Sequence, residues 1–326
     1  MTKSGLRVLT LYAGFGLCLQ WPAGDAAAQG YPVKPVRLLV GFAAGGTDTA
    51  ARIFAQKMTG HLGHSIVVEN RPGASGAIAN ERVAGSAADG YTLLLMPSSG
   101  VAISALRSDL PYDLERDSAP TSLVAMQPFA LVVHPSLPVR NVKQLIALAR
   151  ARPGDLSYGS NGVGSALHLA TELFKTMAGV NIAHVPYKGS TESAVATAAG
   201  HVELSFPGLA SAIPLLEGGR IRALAVTSAR RSSLMPAIPT VGESGLPGYD
   251  RTTWFGVLAP VKVPKEIVER LSTAIDKVIN TAEMKNSLNK QGLDPQTNTQ
   301  EQFAALIRNE LAQNARLIKL IGLKAE

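Results

Sequence analysis

RLLVGFAAGGTDTAAR, from Arg37 to Arg52, and LSYGSNGVGSALHLATELF, from Leu156 to Phe174, follow one plan: a short apolar strand, a glycine-rich turn, a small hydroxyl residue, then an amphipathic helix. The start of a helix leaves its first N–H groups without intrahelical partners, and the helix dipole favours negative charge there. Approached through residues without bulky side chains, such a start is a seat for an anion. Two seats in one chain imply a clamp.

The likeness between the two halves continues downstream. After the first seat come the turn at Pro72 and Gly73, an alanine-rich helix, a turn at Asp89 and Gly90 and an apolar strand from Tyr91 to Met96. After the second come Pro186, Gly189 and Ser190, an alanine-rich helix to Ala199, a turn at Gly200 and a strand from Val202 to Phe206. Short apolar runs such as Leu38–Val40, Leu93–Met96, Leu131–Val133 and Ala223–Val226 are flanked by turn residues, as buried parallel strands are. Between them lie helices with one apolar stripe: Val142, Leu145, Ile146 and Ala149 behind the cap candidate Asn141; Leu167, Ala170, Phe174 and Met177; Ile267, Leu271, Ala274 and Val278; Phe303, Leu306 and Ile307. Alternation of strand and helix gives an α/β fold of two similar lobes. Open parallel sheets bind ligands at the carboxyl ends of their strands, so two facing lobes enclose one between them.

The strand-like run from Thr121 to His134, broken by Pro128, and the run from Arg222 to Ser228 read as the two crossings between lobes. That places residues 29–127 and 229–326 in the first lobe and 128–228 in the second, with the crossings as a hinge. The proline-rich stretch from Pro236 to Pro247 then reads as a loop re-entering the first lobe, with two C-terminal helices packed on its outside.

Residues 1–28 have the pattern of a secretory signal: Lys3 and Arg7, an apolar stretch from Val8 to Leu19, and Ala26, Ala27 and Ala28 before Gln29. The stretch is shorter than the roughly 20 residues of a membrane span. Leu17 precedes the only cysteine, Cys18, where a lipoprotein site has a small residue, so lipidation is not expected. Cleavage removes that cysteine, leaving a mature chain without thiol, disulfide or thiolate metal site. No further stretch of 18 or more apolar residues follows, and the mature chain is expected to be soluble. The formal charge is +7, and loss of Lys3, Arg7 and Asp25 leaves +6, which suits electrostatic steering of an anion. The basic residues are scattered and aromatics make up 5% of the chain, which argues against nucleic-acid binding.

Seven ordered blocks, GFAAGGTDTAAR, VVENRPGASGAIA, ADGYTLLLMPSS, LSYGSNGVGSALHLATELF, HVPYKGS, LAVTSARRSSLMPAIPTVGESGLPGY and TWFGVLAP, resemble the signature blocks of the Bug family. These are the periplasmic solute-binding receptors of tripartite tricarboxylate transporters. The resemblance implies a type II periplasmic-binding-protein fold, with two lobes, a hinge and an interlobe cleft that closes on a small carboxylate. It implies a periplasmic location and membrane transporter subunits as partners. It also implies carboxylates held largely by main-chain amides, often through water, at two turns that map to Phe42, Ala43, Gly45, Gly46 and Thr47 and to Ser160, Asn161, Gly162, Val163, Gly164 and Ser165. Ala43 and Ala44 stand where prolines are common, and Pro207 in LSFPGLAS stands where many members have an Asp. These departures bear on ligand choice.

Physical reading adds to the site. The glycines permit close backbone approach and positive φ, and Thr47 and Ser165 add hydroxyls at the helix starts. Asp48 sits four residues before Arg52 at a helix start, a structural position. Ser98 and Ser99, at the carboxyl end of a strand, face the crevice or form a plain turn. Lys188 either meets a second carboxylate or is solvated, and the Tyr187 ring is suited to lining the crevice. Trp254 and Phe255 read chiefly as core. The alternatives are a sensing module for a signalling partner, or a periplasmic hydrolase or transferase on the same scaffold. Against an enzyme, there is no HExxH and no GxSxG, the Gly41–Thr47 stretch lacks a phosphate-loop lysine, and His168 with Glu172 on one helical face lacks a third ligand. No cofactor or metal is expected, and the protein is expected to be a monomer.

Overall fold

The computed structural model describes residues 30–42 and 46–323. The signal reading, Ala43, Ala44 and Gly45 lie outside the described residues. The chain divides into Met1–Tyr31 and Pro32–Glu326, and all elements below belong to the second unit. In chain order its strands are β1 (Val36–Val40), β2 (Ile66–Asn70), β3 (Thr92–Pro97), β4 (Ser118–Pro128), β5 (Ala130–Val133), β6 (Ser157–Ser160), β7 (Ala183–Pro186), β8 (Leu204–Ser205), β9 (Arg222–Val226), β10 (Thr252–Pro260) and β11 (Asp294–Pro295). Its helices are α1 (Gly46–Leu62), α2 (Ala77–Ala84), α3 (Ser99–Leu106), α4 (Leu114–Asp117), α5 (Val142–Ala151), α6 (Ala166–Ala178), α7 (Ser190–Ala198), α8 (Leu209–Glu217), α9 (Lys265–Ile279), α10 (Ala282–Asn289) and α11 (Gln300–Ile321). No helix among the described residues is long and apolar enough to cross a membrane.

The strands form two sheets, ordered β11-β4-β10-β3-β1-β2 and β7-β6-β8-β5-β9. In the first, β1 lies parallel between β2 and β3, and β10 runs antiparallel to β3 and to β4. In the second, β6 lies parallel between β7 and β8, and β5 runs antiparallel to β8 and to β9. The two sheets thus share one arrangement, three parallel strands and then two alternating in direction, to which the first adds β11 antiparallel to β4 at its edge. The chain passes between the lobes twice, since β4 of the first sheet runs through Phe129 into β5 of the second, and β9 of the second leads back to β10. The run Leu131–Val133, expected as a parallel strand, is therefore antiparallel to its neighbours, because a strand arriving from the first lobe enters the sheet against the local direction; Ala223–Val226 is antiparallel to its neighbour β5 and so keeps the direction of the triplet.

The crossings are tied to each other. The Phe129 N–H donates to Thr227 Oγ1 at 2.8 Å, the Thr227 N–H donates back to the Phe129 carbonyl at 3.0 Å, and the Arg251 N–H donates to the Thr227 carbonyl at 2.8 Å. The stretch from Pro236 to Pro247 stays with the second lobe rather than re-entering the first. Thr240 bridges Val226, and Val241, Leu246 and Tyr249 are buried with Leu131, Val133 and Phe174. Val241 and Leu246 within the stretch, backed by Tyr249 just beyond it, explain it, since burying a Val or Leu side chain stabilises by about 1.5–3 kcal/mol.

Local signals set the helices. Asn141 caps α5, accepting the Gln144 N–H, and Val142, Leu145, Ile146 and Ala149 are buried. On α6 the stripe of Leu167, Ala170 and Phe174 is buried, but Met177 is exposed. Three helices follow β10 rather than two. The last, α11, opens with a capping box of Thr299 and Gln302 and ends at Gly322 in the left-handed region. Phe303 and Ile307 enter the first-lobe core, where Phe303 meets Trp254 edge-on at 5.1 Å. Leu317 and Ile318 pack with Ala102 of α3 and Leu169 of α6, so α11 spans both lobes.

Midway along α11, Glu310 Oε2 accepts the Trp254 indole N–H at 2.6 Å, and Asn314 Oδ1 accepts from Arg251 at 2.9 Å. Burial pushes the Glu310 carboxyl up to about 7, against the lowering effect of the Trp254 bond. A carboxyl raised in the folded state contributes stability that is present below its unfolded value and lost as pH rises through the folded value. Between about pH 5 and about pH 8 the thermal midpoint of the wild type should therefore fall relative to that of Glu310→Gln. Parallel midpoint curves for the two proteins would contradict this burial.

Candidate functional site

Each parallel triplet carries its glycine-rich turn at the carboxyl end of its middle strand, β1 or β6. A cavity of about 530 Å³ opens there. The first lobe lines it with Phe42, Thr47, Thr49, Gln127 and Phe255, and the second with Asn161, Lys188, Ser190, Thr191 and Ser211. A larger opening of about 1190 Å³ lies beside Arg37, Arg71, Arg82 and Thr92. There the guanidinium groups of Arg37 and Arg71 are both committed to Glu69, and Arg37 and Thr92 stand at the amino ends of β1 and β3. Open α/β sheets bind ligands at the other end, so the smaller cavity is the candidate.

The first turn is fixed from β2. Asn70 Nδ2 donates to the Phe42 carbonyl at 2.9 Å and to Asp48 Oδ1 at 2.8 Å, and Arg52 donates to Asp48 Oδ2 at 2.9 Å. The Arg52 hydrogen bond, aided by Asn70, holds the Asp48 carboxyl below the usual carboxylate range despite its burial. Asp48 thus anchors the first turn of α1 from beneath. Asn70 was not singled out from the sequence; its position at the end of the strand beside β1 is the only signal that pointed to it.

The second turn is built differently from the sequence expectation. The Gly162 N–H donates to Ser160 Oγ at 3.1 Å and the Gly164 N–H to His168 Nδ1 at 2.9 Å, with φ of 111° and 72° at these glycines. Ser165 caps α6, accepting the His168 N–H and donating to the Gly162 carbonyl. These glycine amides and the Ser165 hydroxyl are therefore turned into the protein. The N–H groups of Asn161, Val163, Ala166 and Leu167 have no hydrogen-bond partner among the described residues. Asn161 Oδ1 is buried with no partner among the described residues, and a buried polar atom of that kind calls for one.

The remaining predicted residues divide. Phe42, Thr47, Asn161 and Lys188 line the cavity; Lys188 is exposed, with no ion-pair partner among the described residues. Gly46 begins α1. Val163 is 41% exposed. Ser98 does not present its hydroxyl to the crevice: it is buried at the start of α3 and bonded to Thr253 Oγ1 at 2.9 Å. Ser160 is likewise buried, its hydroxyl 2.7 Å from His184 Nε2. The Tyr187 ring is absent from the cavity's described lining and packs over Gly159, where a missing side chain leaves room. The Pro207 carbonyl accepts the Ala130 N–H, joining the second sheet's antiparallel strand to the entry of α8. Trp254 is core, whereas Phe255 reaches the cavity wall.

Residues 50–323 match the family described as the tripartite tricarboxylate transporter family receptor. The chain belongs to this family. The receptor is 36% identical over 306 residues to protein BugT of Bordetella pertussis, covering 93% of this chain and 94% of that one. Among solved structures, it is similar to Rpa4515 of R. palustris with adipate, at 39% identity and TM-score 0.79, covering 90% and 98% of the two chains. MatC of Rhodopseudomonas palustris with bound malate is similar at 28% identity and TM-score 0.75, covering 88% and 100%.

The tie between Asn70 and the receptor's first turn gives a measurable consequence. Asn70→Asp removes the amide donors and sets a carboxylate beside Asp48, which should cost about 1–3 kcal/mol in urea unfolding. An unchanged midpoint and slope would show that Asn70 does not hold the turn.

Proposed function

We propose that this receptor is an extracytoplasmic solute-binding protein that captures a small carboxylate between its lobes and presents it to membrane subunits of a tripartite tricarboxylate-type transporter. Residues 1–28 act as a signal peptide that is removed on export to the periplasm. Residues 29–127 and 229–326 form the first lobe and 128–228 the second, with the proline-rich stretch after Ser228 packed on the second. The hinge lies where Phe129, Thr227 and Arg251 are joined. The protein is a monomer and not an enzyme.

The observation that carries this reading is one cavity lined from both lobes at the carboxyl ends of both parallel triplets. Thr47 stands at the start of α1, Asn161 at the second turn, and Lys188 beside them as a cation without an ion pair among the described residues. The adipate and malate bound by two relatives support a carboxylate as the ligand class. Amides of Asn161, Val163, Ala166 and Leu167 supply neutral donors for one carboxylate, and Lys188 supplies a charge for a second. Closure is favoured by as much as the ligand prefers the closed form to the open one.

A thermal-shift and calorimetric panel of acetate, malate, adipate and citrate on residues 29–326 tests the reading. A ligand at a hundredfold excess over its Kd should stabilise the protein by about 2.7 kcal/mol; no shift with any of them would overturn carboxylate capture, and turnover of carboxylate esters would overturn the non-enzyme reading. Lys188→Ala should weaken dicarboxylates about tenfold or more and leave acetate unaffected; equal losses for both would remove Lys188 from the distal end. Gly162→Val forces a β-branched residue to φ 111°, a backbone few such residues adopt, and should abolish binding while the thermal midpoint of the ligand-free protein falls only modestly.

A further inference from the structure

The second glycine-rich turn hangs on two imidazoles. His168, from the first turn of α6, and His184, from β7, stack face to face with centroids 4.2 Å apart and planes 13° apart, and the Tyr158 ring of β6 stacks on His184 at 4.8 Å. One imidazole takes the Gly164 N–H on Nδ1, and the other meets the Ser160 hydroxyl that in turn takes the Gly162 N–H. Both glycines are at positive φ, a conformation that the turn's own sequence permits but does not impose.

We propose that His168 and His184 are positioning residues for ligand capture: as neutral rings they bind the inward-facing amides and hydroxyl of the turn, and so fix which of its N–H groups remain for the ligand. This assignment rests on the carboxylate-receptor reading above. It requires the His168 proton to sit on Nε2, since Nδ1 accepts. A second proton on either ring would place a cation against its stacked neighbour and near Lys175, which is bonded to Glu172 at 2.7 Å. Tyr158 donates to the same oxygen, Glu172 Oε1, at 2.6 Å, and that oxygen lies 3.9 Å from His168 Nε2, beyond hydrogen-bond reach. That oxygen is thus already taken by two donors, and burial, reinforced by His184, drives His168 down to about 4. Burial lowers His184 as well. The first lobe has a counterpart in Asn70, which also projects from the strand flanking its glycine turn.

Imidazole ¹⁵N spectra of the wild-type protein and adipate calorimetry at neutral pH provide the test. The expected spectrum shows His168 with a bare, hydrogen-bonded Nδ1 and a protonated Nε2 down to about pH 5; a protonated Nδ1 overturns the assignment whatever the variants do. His168→Leu should weaken adipate at least about tenfold, and His168→Asn, whose side-chain oxygen replaces Nδ1 as acceptor, should recover most of that loss. A folded His168→Leu protein with wild-type affinity overturns the assignment alone. If the wild type binds neither adipate nor malate, the carboxylate reading falls instead.

Discussion

The mutual hydrogen bonds between Phe129 and Thr227 hold together the two points at which the chain passes from one lobe to the other. Each sheet is built wholly from strands on its own side of the crossings, β5 to β9 in one and the other six in the other, so these two passages set how the sheets face each other. The same crossing brings the carboxyl ends of the two parallel triplets to one gap. Everything at the candidate site, from Thr47 on one wall to Asn161 and Lys188 on the other, follows from that geometry.

Glycine turns alone do not define an anion seat. In the second lobe two of the turn's own amides are consumed by Ser160 and His168, and the donors left over are neighbours of those glycines. The glycines serve the backbone, allowing a path at positive φ that aims other groups, while polar side chains from the adjoining strands and helix decide which face of each peptide is internal. Asn70 does this for Phe42 and Asp48, at the cost of burying a carboxylate that Arg52 then neutralises.

Features encoded by neighbouring residues were legible in the sequence. The strand, glycine turn and helix of each half, the Asn141 cap and the buried stripe of α5 depend on spacings of a few residues. Strand direction was not legible, because the apolar run from Leu131 to Val133 reads alike in a parallel or an antiparallel sheet. The placement of Pro236–Pro247 was also hidden, since Val241 and Leu246 outweigh its loop-like composition only once the second-lobe core exists. Site residues divided in the same way. Asn161 and Lys188 sit at the wall because the local motif puts them there, whereas Ser98 and Tyr187 found partners, Thr253 and Gly159, that lie distant in the sequence.

The insertion of the second sheet between β4 and β10 has a consequence for how the chain acquires its structure. The first sheet is missing β10 until residue 260 is available, although four of its strands lie before residue 129, so those strands must wait through more than a hundred residues for their central partner. The second sheet has all five strands between residues 130 and 226. Loop closure over long separations slows folding, which makes the inserted lobe the faster unit to mature and the outer lobe, built around it, the last to consolidate.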